Sequence, residues 1–278
     1  MLVTMKELLD EAHIGGYAVA APNVWDEFSI VASLKAAEEL NAPIILDYNK
    51  IMSDDIMRFG KIAIMLSESA KVPVAINLDH GRSYDICLQA IRAGFTSVMI
   101  DSSTLPYEEN VKEVKEVTEI AKRLGVTVEA ELGHVGQGSN YALDGVNALT
   151  DPMEAVRFVE ETGIDALAVA VGTAHGAYKG TPHIDFERLK ELRKSVSIPL
   201  VLHGGSSTGD DLLNKAVECG ICKVNLSTDL LVAGTETFNE CMKDEKMGVM
   251  FFAQQAFIQG FKDKLCHYIK IFMSDNKA

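Results

Sequence analysis

Three histidines in this sequence each come at the end of an apolar segment, and each is followed directly by glycine. They occur in LDHG (His80), TAHG (His175) and VLHGG (His203). Histidines scattered through a core would not be expected to share this position. Three neutral imidazoles from separate strands, with a fourth position open, are typical of a catalytic zinc site rather than a closed structural one. Asp79 precedes His80 and is a candidate proton donor or acceptor in the same cavity.

Other polar groups follow apolar segments in the same way. Asp101 and Glu131 are candidates either to orient an imidazole or to act as alternative metal ligands, and the sequence leaves both interpretations open. The glycine-rich stretches 172–180 and 202–209 offer backbone amides, together with Lys179 and Ser206, to a phosphate group. The segment NLSTD then begins a helix, whose N-terminal amides favour anions.

Eight apolar segments that alternate with helix-periodic segments must position these residues. The strand candidates are 17–24, 42–48, 72–80, 96–103, 126–133, 164–176, 198–205 and 221–228. Short, nearly continuous apolar strands separated by single helices indicate a parallel sheet that is buried on both faces. Eight such units in about 250 residues predict an α/β fold, a closed (β/α)8 TIM barrel whose active site lies at the C-terminal strand ends. The prediction is one domain, 1–278, with 236–278 as a C-terminal helical extension.

Composition narrows the classes of partner. The net charge of −14 argues against nucleic acid and against an anionic membrane surface. The N-terminal segment is acidic and amphipathic and has no apolar centre, which predicts a cytoplasmic protein rather than a secreted one. The five cysteines include a CGIC motif without a second pair, so we expect reduced thiols rather than a metal or disulfide site.

The ordered motifs LDHG, VMIDSS, VEAELG, GTAHGAYKG, PLVLHGGSSTG and KVNLSTDL resemble the class II, zinc-dependent ketose-bisphosphate aldolases. This family includes fructose-1,6-bisphosphate and tagatose-1,6-bisphosphate aldolases, and the resemblance covers roughly residues 1–235. It implies Zn²⁺ held by His80, His175 and His203, with Asp79 as the acid/base at the C4 oxygen. It also implies a monovalent cation (Na⁺ or K⁺) near the phosphate and a homodimer or homotetramer.

The resemblance also implies which positions bind dihydroxyacetone phosphate (DHAP) or belong to the active site around it. Besides Asp101 and Glu131, they are Asn23, Gly176, Lys179, Gly204, Ser206, Asn225, Ser227 and Thr228.

Departures from the family pattern concentrate on the aldehyde side. Asn49 replaces the usual serine, Ser139 lies near the place of a loop glutamate with Asp144 as the nearby acid, and the C-terminal tail has no arginine. The expected activity is reversible cleavage of a phosphorylated ketose, fructose 1,6-bisphosphate first, into DHAP and an aldehyde. Tagatose 1,6-bisphosphate or another ketose 1-phosphate, a catalytically poor sugar-phosphate-binding paralogue, and a zinc hydrolase remain as alternatives.

Overall fold

Eight parallel strands form a closed barrel in the computed structural model of the chain, which describes residues 1–53, 55–138, 149–176 and 178–278. Each strand pairs with the next in sequence, and the first pairs with the last. The strands are β1 (Val19–Val24), β2 (Ile44–Asn49), β3 (Val74–Gly81), β4 (Ser97–Ile100), β5 (Thr127–Leu132), β6 (Ala166–Val169), β7 (Leu200–Leu202) and β8 (Ile221–Leu226). The predicted (β/α)8 barrel is therefore confirmed.

Ten helices lie within the described residues. They are α1 (Met5–Gly15), α2 (Glu27–Glu39), α3 (Ile56–Ser69), α4 (Tyr84–Arg92), α5 (Tyr107–Arg123), α6 (Pro152–Thr162), α7 (Phe186–Ser195), α8 (Asp210–Glu218), α9 (Thr228–Met242) and α10 (Met250–Ile271). Side-chain caps set several starts, because Asp26, Ser83 and Asp151 accept hydrogen bonds from first-turn amides of α2, α4 and α6. Gly163 ends α6 in the left-handed conformation, as its position in the sequence predicts.

The barrel interior is layered, because residues two apart on a strand share a face. One group of interior side chains is apolar and packs with α1, with Ile45 and Ala75 among its members. Four polar or charged side chains on the same strand faces are fully buried. They are Asp47, Asn77, Glu129 and Lys223. The uppermost positions of the same strand faces carry the candidate site residues.

The two C-terminal helices pack on the barrel wall. Helix α9 follows β8 after a single residue, and α10 packs against both α9 and α2. The Trp25 ring lies 6.1 Å from the Phe257 ring and 6.3 Å from the Phe261 ring, measured between centroids. Position 236, where the helical extension was expected to begin, lies inside α9.

One predicted strand is much longer than the observed one. Segment 164–176 was expected to be extended up to His175, but β6 ends at Val169. Gly172 then turns the chain with a φ of 112°, and a Cβ atom there would lie 2.5 Å from the His183 carbonyl oxygen. His175 therefore lies in the loop after β6, where its amide donates to the Gly136 carbonyl at 2.9 Å.

All five cysteines are free thiols. Burial raises the pKa of Cys222 to about 11, which keeps this thiol protonated. Across the described ranges, no helix combines the length and apolar character that a membrane crossing needs.

Candidate active site

The three glycine-flanked histidines meet at the C-terminal mouth of the barrel. His80 ends β3, His175 comes from the β6–α7 loop, and His203 follows β7. The Nε2 atom of His80 lies 3.1 Å from His175 Nε2 and 3.0 Å from His203 Nδ1. Nitrogen atoms of three imidazoles this close need a shared cation or proton between them. Zn–N bonds of about 2.0–2.1 Å in a tetrahedron separate ligand nitrogens by about 3.3 Å, so these residues fit a zinc ion.

Carboxylates fix the orientation of two of the imidazoles. His80 Nδ1 donates to Asp101 Oδ2 at 2.7 Å, and His203 Nε2 donates to Glu129 Oε1 at 2.9 Å. Because a carboxylate only accepts, these contacts leave His80 Nε2 and His203 Nδ1 as the two nitrogens that face the shared position between the rings. Asp101 therefore lies behind an imidazole, which favours the first of the two roles that the sequence left open for it.

Glu131 differs from Asp101 in its surroundings. Its Oε1 accepts from the Val135 amide at 2.9 Å, while its buried Oε2 has no hydrogen-bond partner among the described residues. Its carboxylate also falls within 4.8 Å of ligand atoms of His80 and Asp101. Burial, and next the nearby Asp101 charge, raise the pKa of Glu131. A buried carboxylate oxygen without a partner favours the second role, an additional or alternative metal ligand.

Asp79 is held by three asparagine side chains. Asn23 and Asn49 donate to its Oδ2 at 2.9 and 3.3 Å, and Asn225 donates to its Oδ1 at 3.1 Å. Burial alone would raise the pKa of this carboxyl. The positive charges of His80, His203 and Lys223 outweigh burial, so the pKa of Asp79 lies well below its ordinary value. Asp79 is thus an oriented, ionised carboxylate beside the imidazoles.

The imidazoles themselves differ in protonation. Burial lowers the pKa of His80, but the neighbouring Asp79 charge and the hydrogen bond to Asp101 raise it to about 9. Burial and the two other imidazoles lower the pKa of His175 to about 3. Without a metal, the cluster therefore holds a proton on His80, which a metal must displace.

A buried charge network lies directly beneath the histidines. Lys223 Nζ donates to Glu129 Oε2 at 2.7 Å and lies 3.2 Å from Asp47 Oδ2, at an angle outside hydrogen-bond geometry. Burial alone would lower the pKa of Lys223. The negative charges of Asp47 and Glu129 outweigh burial and raise this pKa above its ordinary value. Glu129 in turn holds His203. Sequence reasoning missed Glu129 and Lys223, although each lies two positions before a predicted site residue and so shares its face of the strand.

A small cavity of about 40 Å³ lies on the β7–β8 side of the mouth. Seven of the eight predicted substrate positions line it, together with Asp79, His175 and His203. The seven substrate positions are Asn23, Gly176, Gly204, Ser206, Asn225, Ser227 and Thr228. The exposed Lys179 is not among the lining residues and contacts Gly138 through its backbone. Ser139 and Asp144, the positions of the altered loop, fall outside the described residues.

His80 has a backbone conformation that is unusual for a residue other than glycine. Its φ is 48°, in the left-handed region. Gly81 follows at a point where a Cβ atom would lie 2.5 Å from the Met99 carbonyl oxygen, so only glycine fits. The β3–β4 pairing shifts register between Leu78 and Gly81. This irregularity turns the His80 side chain toward the mouth of the barrel. The side chain of the preceding residue, Asp79, faces the same mouth.

The family model for class-II fructose-bisphosphate aldolases matches residues 3–277. The chain belongs to the class-II fructose-bisphosphate aldolase family. Fructose-bisphosphate aldolase of Staphylococcus aureus is 42% identical over 251 residues, 88% of this aldolase and 87% of the relative. The Thermus caldophilus fructose-bisphosphate aldolase is 43% identical over 272 residues, 87% of this chain and 88% of the relative. The crystal structure of the YdjI aldolase from Escherichia coli K12 matches with a TM-score of 0.90 and 34% identity, over the whole of both chains.

These matches confirm the resemblance predicted from the motifs. This aldolase is a lyase that breaks a carbon–carbon bond, and membership of this family argues against the zinc hydrolase alternative.

Proposed function

We propose that this aldolase reversibly cleaves a phosphorylated ketose into DHAP and an aldehyde, with fructose 1,6-bisphosphate as the first substrate to test. The relatives named fructose-bisphosphate aldolase support this choice of substrate. The observation that carries the proposal is the cavity in which Asp79 lies beside His175, His203 and the predicted phosphate-binding positions. Tagatose 1,6-bisphosphate and ketose 1-phosphates are the alternatives.

His80, His175 and His203 are the proposed zinc ligands, supported by the short nitrogen–nitrogen distances and by the carboxylates behind two of the rings. When bound, zinc supplies a Lewis acid that polarises the ketone carbonyl and stabilises the negative charge of the enediolate. Glu131 is the proposed additional or alternative ligand, because its second oxygen is buried without a partner among the described residues.

Asp79 is the proposed proton carrier. In cleavage it accepts the proton of the C4 hydroxyl, the C4 oxygen becomes the aldehyde carbonyl, and the C3–C4 bond breaks with its electron pair left on C3. In condensation Asp79 returns the proton to the C4 oxygen. Its lowered pKa keeps the carboxylate ionised, so that it is free to accept a proton, and the three asparagine donors hold both oxygens in place.

The DHAP phosphate is proposed to bind between the β7 loop and the start of α9. Ser206 Oγ accepts there from the Ser227 amide at 3.1 Å and from the Asp229 amide at 3.3 Å. Amides at a helix start favour anions, and Gly176 and Gly204 present backbone without side chains. Asn23, Asn225 and Thr228 complete the proposed contacts. The assignment of Lys179 and of a Na⁺ or K⁺ ion near the phosphate rests on the family resemblance alone.

The proposed assembly is a homodimer or homotetramer, and the proposed location is the cytoplasm. Both rest on the sequence and the resemblance. A group of exposed apolar residues around the α9–α10 connection, with Phe251 66% exposed, adds support for self-association.

The deciding experiment measures DHAP release, coupled to NADH oxidation by glycerol-3-phosphate dehydrogenase, with and without a zinc chelator. Fructose 1,6-bisphosphate, tagatose 1,6-bisphosphate and several ketose 1-phosphates form the panel. We expect release that the chelator abolishes and added zinc restores. Absence of release from every substrate, in protein that holds zinc, would favour the sugar-phosphate-binding paralogue instead.

A further inference from the structure

Two of the proposed zinc ligands come from loops whose backbones touch. His175 lies in the β6–α7 loop, and His203 begins the β7–α8 loop. Gly204, directly after His203, has a φ of 72°, and a Cβ atom there would lie 2.3 Å from the Ala174 carbonyl oxygen. The residue before one histidine is therefore in direct contact with the residue after the other.

A tyrosine hydroxyl lies between these two loops. Tyr178 Oη accepts from the Ala174 amide at 2.8 Å and lies 3.0 Å from Thr208 Oγ1. Thr208 Oγ1 donates to the Gly204 carbonyl oxygen at 2.8 Å, and Tyr178 Oη lies 3.3 Å from that same oxygen. Either hydroxyl can donate to the other. In both arrangements, the Ala174 amide and the Gly204 carbonyl are joined through these two hydroxyl groups.

His175 depends on such support because it does not lie on a strand. On one side, its amide donates to the Gly136 carbonyl at 2.9 Å, and its carbonyl accepts from the Gly138 amide at 2.8 Å. The rings of His80 and His203 are oriented by carboxylates, whereas the His175 ring is hydrogen-bonded to the protein backbone. The orientation of His175 is therefore set by the way its loop is held, and the two hydroxyl groups hold the other side of that loop.

The link between the loops is shielded from water. Thr208 is 3% exposed and Ala174 is 2% exposed, while Tyr178 is half-buried. A buried amide that loses its acceptor keeps the full cost of its desolvation. Without the Tyr178 hydroxyl, the Ala174 amide must move to find another acceptor, and the adjoining His175 moves with it.

We propose that Tyr178 and Thr208 are positioning residues that set the placement of His175 relative to His203, and thereby the affinity of the site for zinc. This inference rests on the proposed function, in which both histidines bind zinc. The two hydroxyl groups act through the backbone of the residues next to the histidines. Groups that orient metal ligands typically change metal affinity by about 10–100-fold when they are removed.

Zinc affinity, measured by competition with a chelator, tests Tyr178. Tyr178→Phe removes only the hydroxyl group, so we expect the affinity to fall by about tenfold or more. Tyr107→Phe is the matched control, because the Tyr107 hydroxyl is buried without a hydrogen-bond partner among the described residues. Circular dichroism verifies that both variants are folded at the temperature of the titration. A loss of affinity in Tyr178→Phe no greater than in the control overturns the proposal.

A pair of variants tests Thr208. Thr208→Val keeps the branched shape of the side chain without the hydroxyl, so we expect about a tenfold loss of zinc affinity. Thr208→Ser keeps the hydroxyl and should retain most of the affinity. The Tyr178→Phe, Thr208→Val double variant should lose much less than the product of the two single losses, because both changes break the same link. Equal affinities of Thr208→Val and Thr208→Ser overturn the proposal.

Cobalt in place of zinc separates positioning from stability. The visible absorption of bound Co²⁺ depends on the geometry of its ligands, so Tyr178→Phe should change the spectrum of the cobalt-loaded protein, and Tyr107→Phe should not. An unchanged spectrum in Tyr178→Phe would show that the hydroxyl serves the fold alone and overturns the proposal.

The same experiments distinguish this proposal from the proposed function. If the unmodified protein binds zinc but releases no DHAP from any ketose, the proposed function fails, and the affinities of the variants still decide the role of Tyr178 and Thr208. If the unmodified protein binds no zinc, both proposals are overturned. If it binds zinc and releases DHAP while the variants bind zinc equally well, the positioning role alone is overturned.

Discussion

At the scale of single residues, Asp79 and His80 are neighbours that face the same cavity, although successive side chains of a strand normally point to opposite faces. The left-handed φ of His80 and the register shift after Leu78 resolve this conflict. The arrangement brings a negative carboxylate within 3.7 Å of an imidazole nitrogen. A proposed proton carrier and a proposed metal ligand are thereby held together by one peptide unit.

Replacement of Asp79 by asparagine tests the proton carrier. Asp79→Asn keeps the size and one acceptor oxygen but cannot take up the C4 proton, so we expect kcat to fall by about 10²–10⁴-fold. Zinc content, measured by atomic emission, should stay at the level of the unmodified protein. Glu116→Gln on α5 removes an exposed carboxylate and should leave both quantities unchanged. A rate within twofold of the unmodified enzyme would remove Asp79 from the mechanism.

The proton on His80 predicts how zinc affinity varies with pH. The pKa of His80 without metal is about 9, and zinc requires the neutral ring, so zinc must displace this proton at lower pH. We expect the apparent affinity to rise about tenfold per pH unit from pH 7 to pH 9 and then to level off. Competition with a chelator measures the slope. Calorimetry at pH 7.5 in buffers of different ionisation enthalpy should show about one proton released per zinc, and release of none would contradict the assignment.

Much of the site could be predicted from residue types and order. His80, His203, Asp101 and Asn225 lie at or next to strand ends, where parallel-barrel geometry predicts them. His175 is six residues beyond its strand, because a glycine turn cannot be recognised from apolar periodicity alone. Glu129 was missed for a different reason. A charged residue within an apolar strand is ordinarily expected to face solvent. The sequence does not show that the partners of Glu129, Lys223 and His203, lie beside it inside the barrel.

At the scale of elements, the strands β2, β5 and β8 share one charge network beneath the histidines. Lys223 is fully buried and compensates two carboxylates, Glu129 and Asp47. Such a network is costly to disrupt by removing one partner, because the remaining charge is buried without compensation. It ties the position of His203 to the integrity of three strands.

Lys223→Met tests this coupling. The substitution leaves Glu129 and Asp47 without their cation, so we expect the free energy of unfolding to fall by about 3–5 kcal/mol, measured by urea denaturation. Lys112→Met, an exposed lysine on α5, should change it by less than about 0.5 kcal/mol. Adding Glu129→Gln to Lys223→Met should recover part of the loss. Equal stability of the two lysine variants would show that the network contributes nothing.

The contact between α9 and α10 depends on a glycine. A Cβ atom on Gly260 would lie 2.5 Å from the Ala233 carbonyl oxygen, which is backbone and cannot move aside cheaply. We expect Gly260→Ala to lower the free energy of unfolding by about 1–3 kcal/mol, despite the better helix propensity of alanine. Gln259→Ala, an exposed neighbour on α10, is the control and should change little. A more stable Gly260→Ala variant would mean that the two helices are not packed this closely.

At the scale of the whole molecule, the alternation of eight apolar and helical segments predicted the barrel and the face that carries the site. It did not predict where the C-terminal helices lie. Helix α10 is amphipathic in sequence, and that pattern fits a barrel wall or another subunit equally well. Its burial against Trp25 and α2 shows that much of its apolar surface belongs to the fold.

The apolar residues that remain exposed near the α9–α10 connection predict self-association. Met247, Val249, Met250 and Phe251 are 43–66% exposed and close in sequence. We expect a species of two or four chains in sedimentation velocity, and a shift toward single chains in a Met250→Ser, Phe251→Ser double variant. Met153→Ser on α6, 75% exposed, is the control and should not alter the distribution. A single-chain species at micromolar concentration would contradict the expected homodimer or homotetramer.

The left-handed backbone of His80 has a consequence for engineering this enzyme. A glycine at that position would adopt the same φ without strain, and this relief offsets part of the stability that His80→Gly loses with the buried ring and its hydrogen bond to Asp101. A selection scheme that rewards heat resistance alone would therefore penalise the loss of this proposed zinc ligand only weakly. Libraries aimed at a hardier catalyst should therefore hold this codon fixed, or couple every thermal screen to turnover.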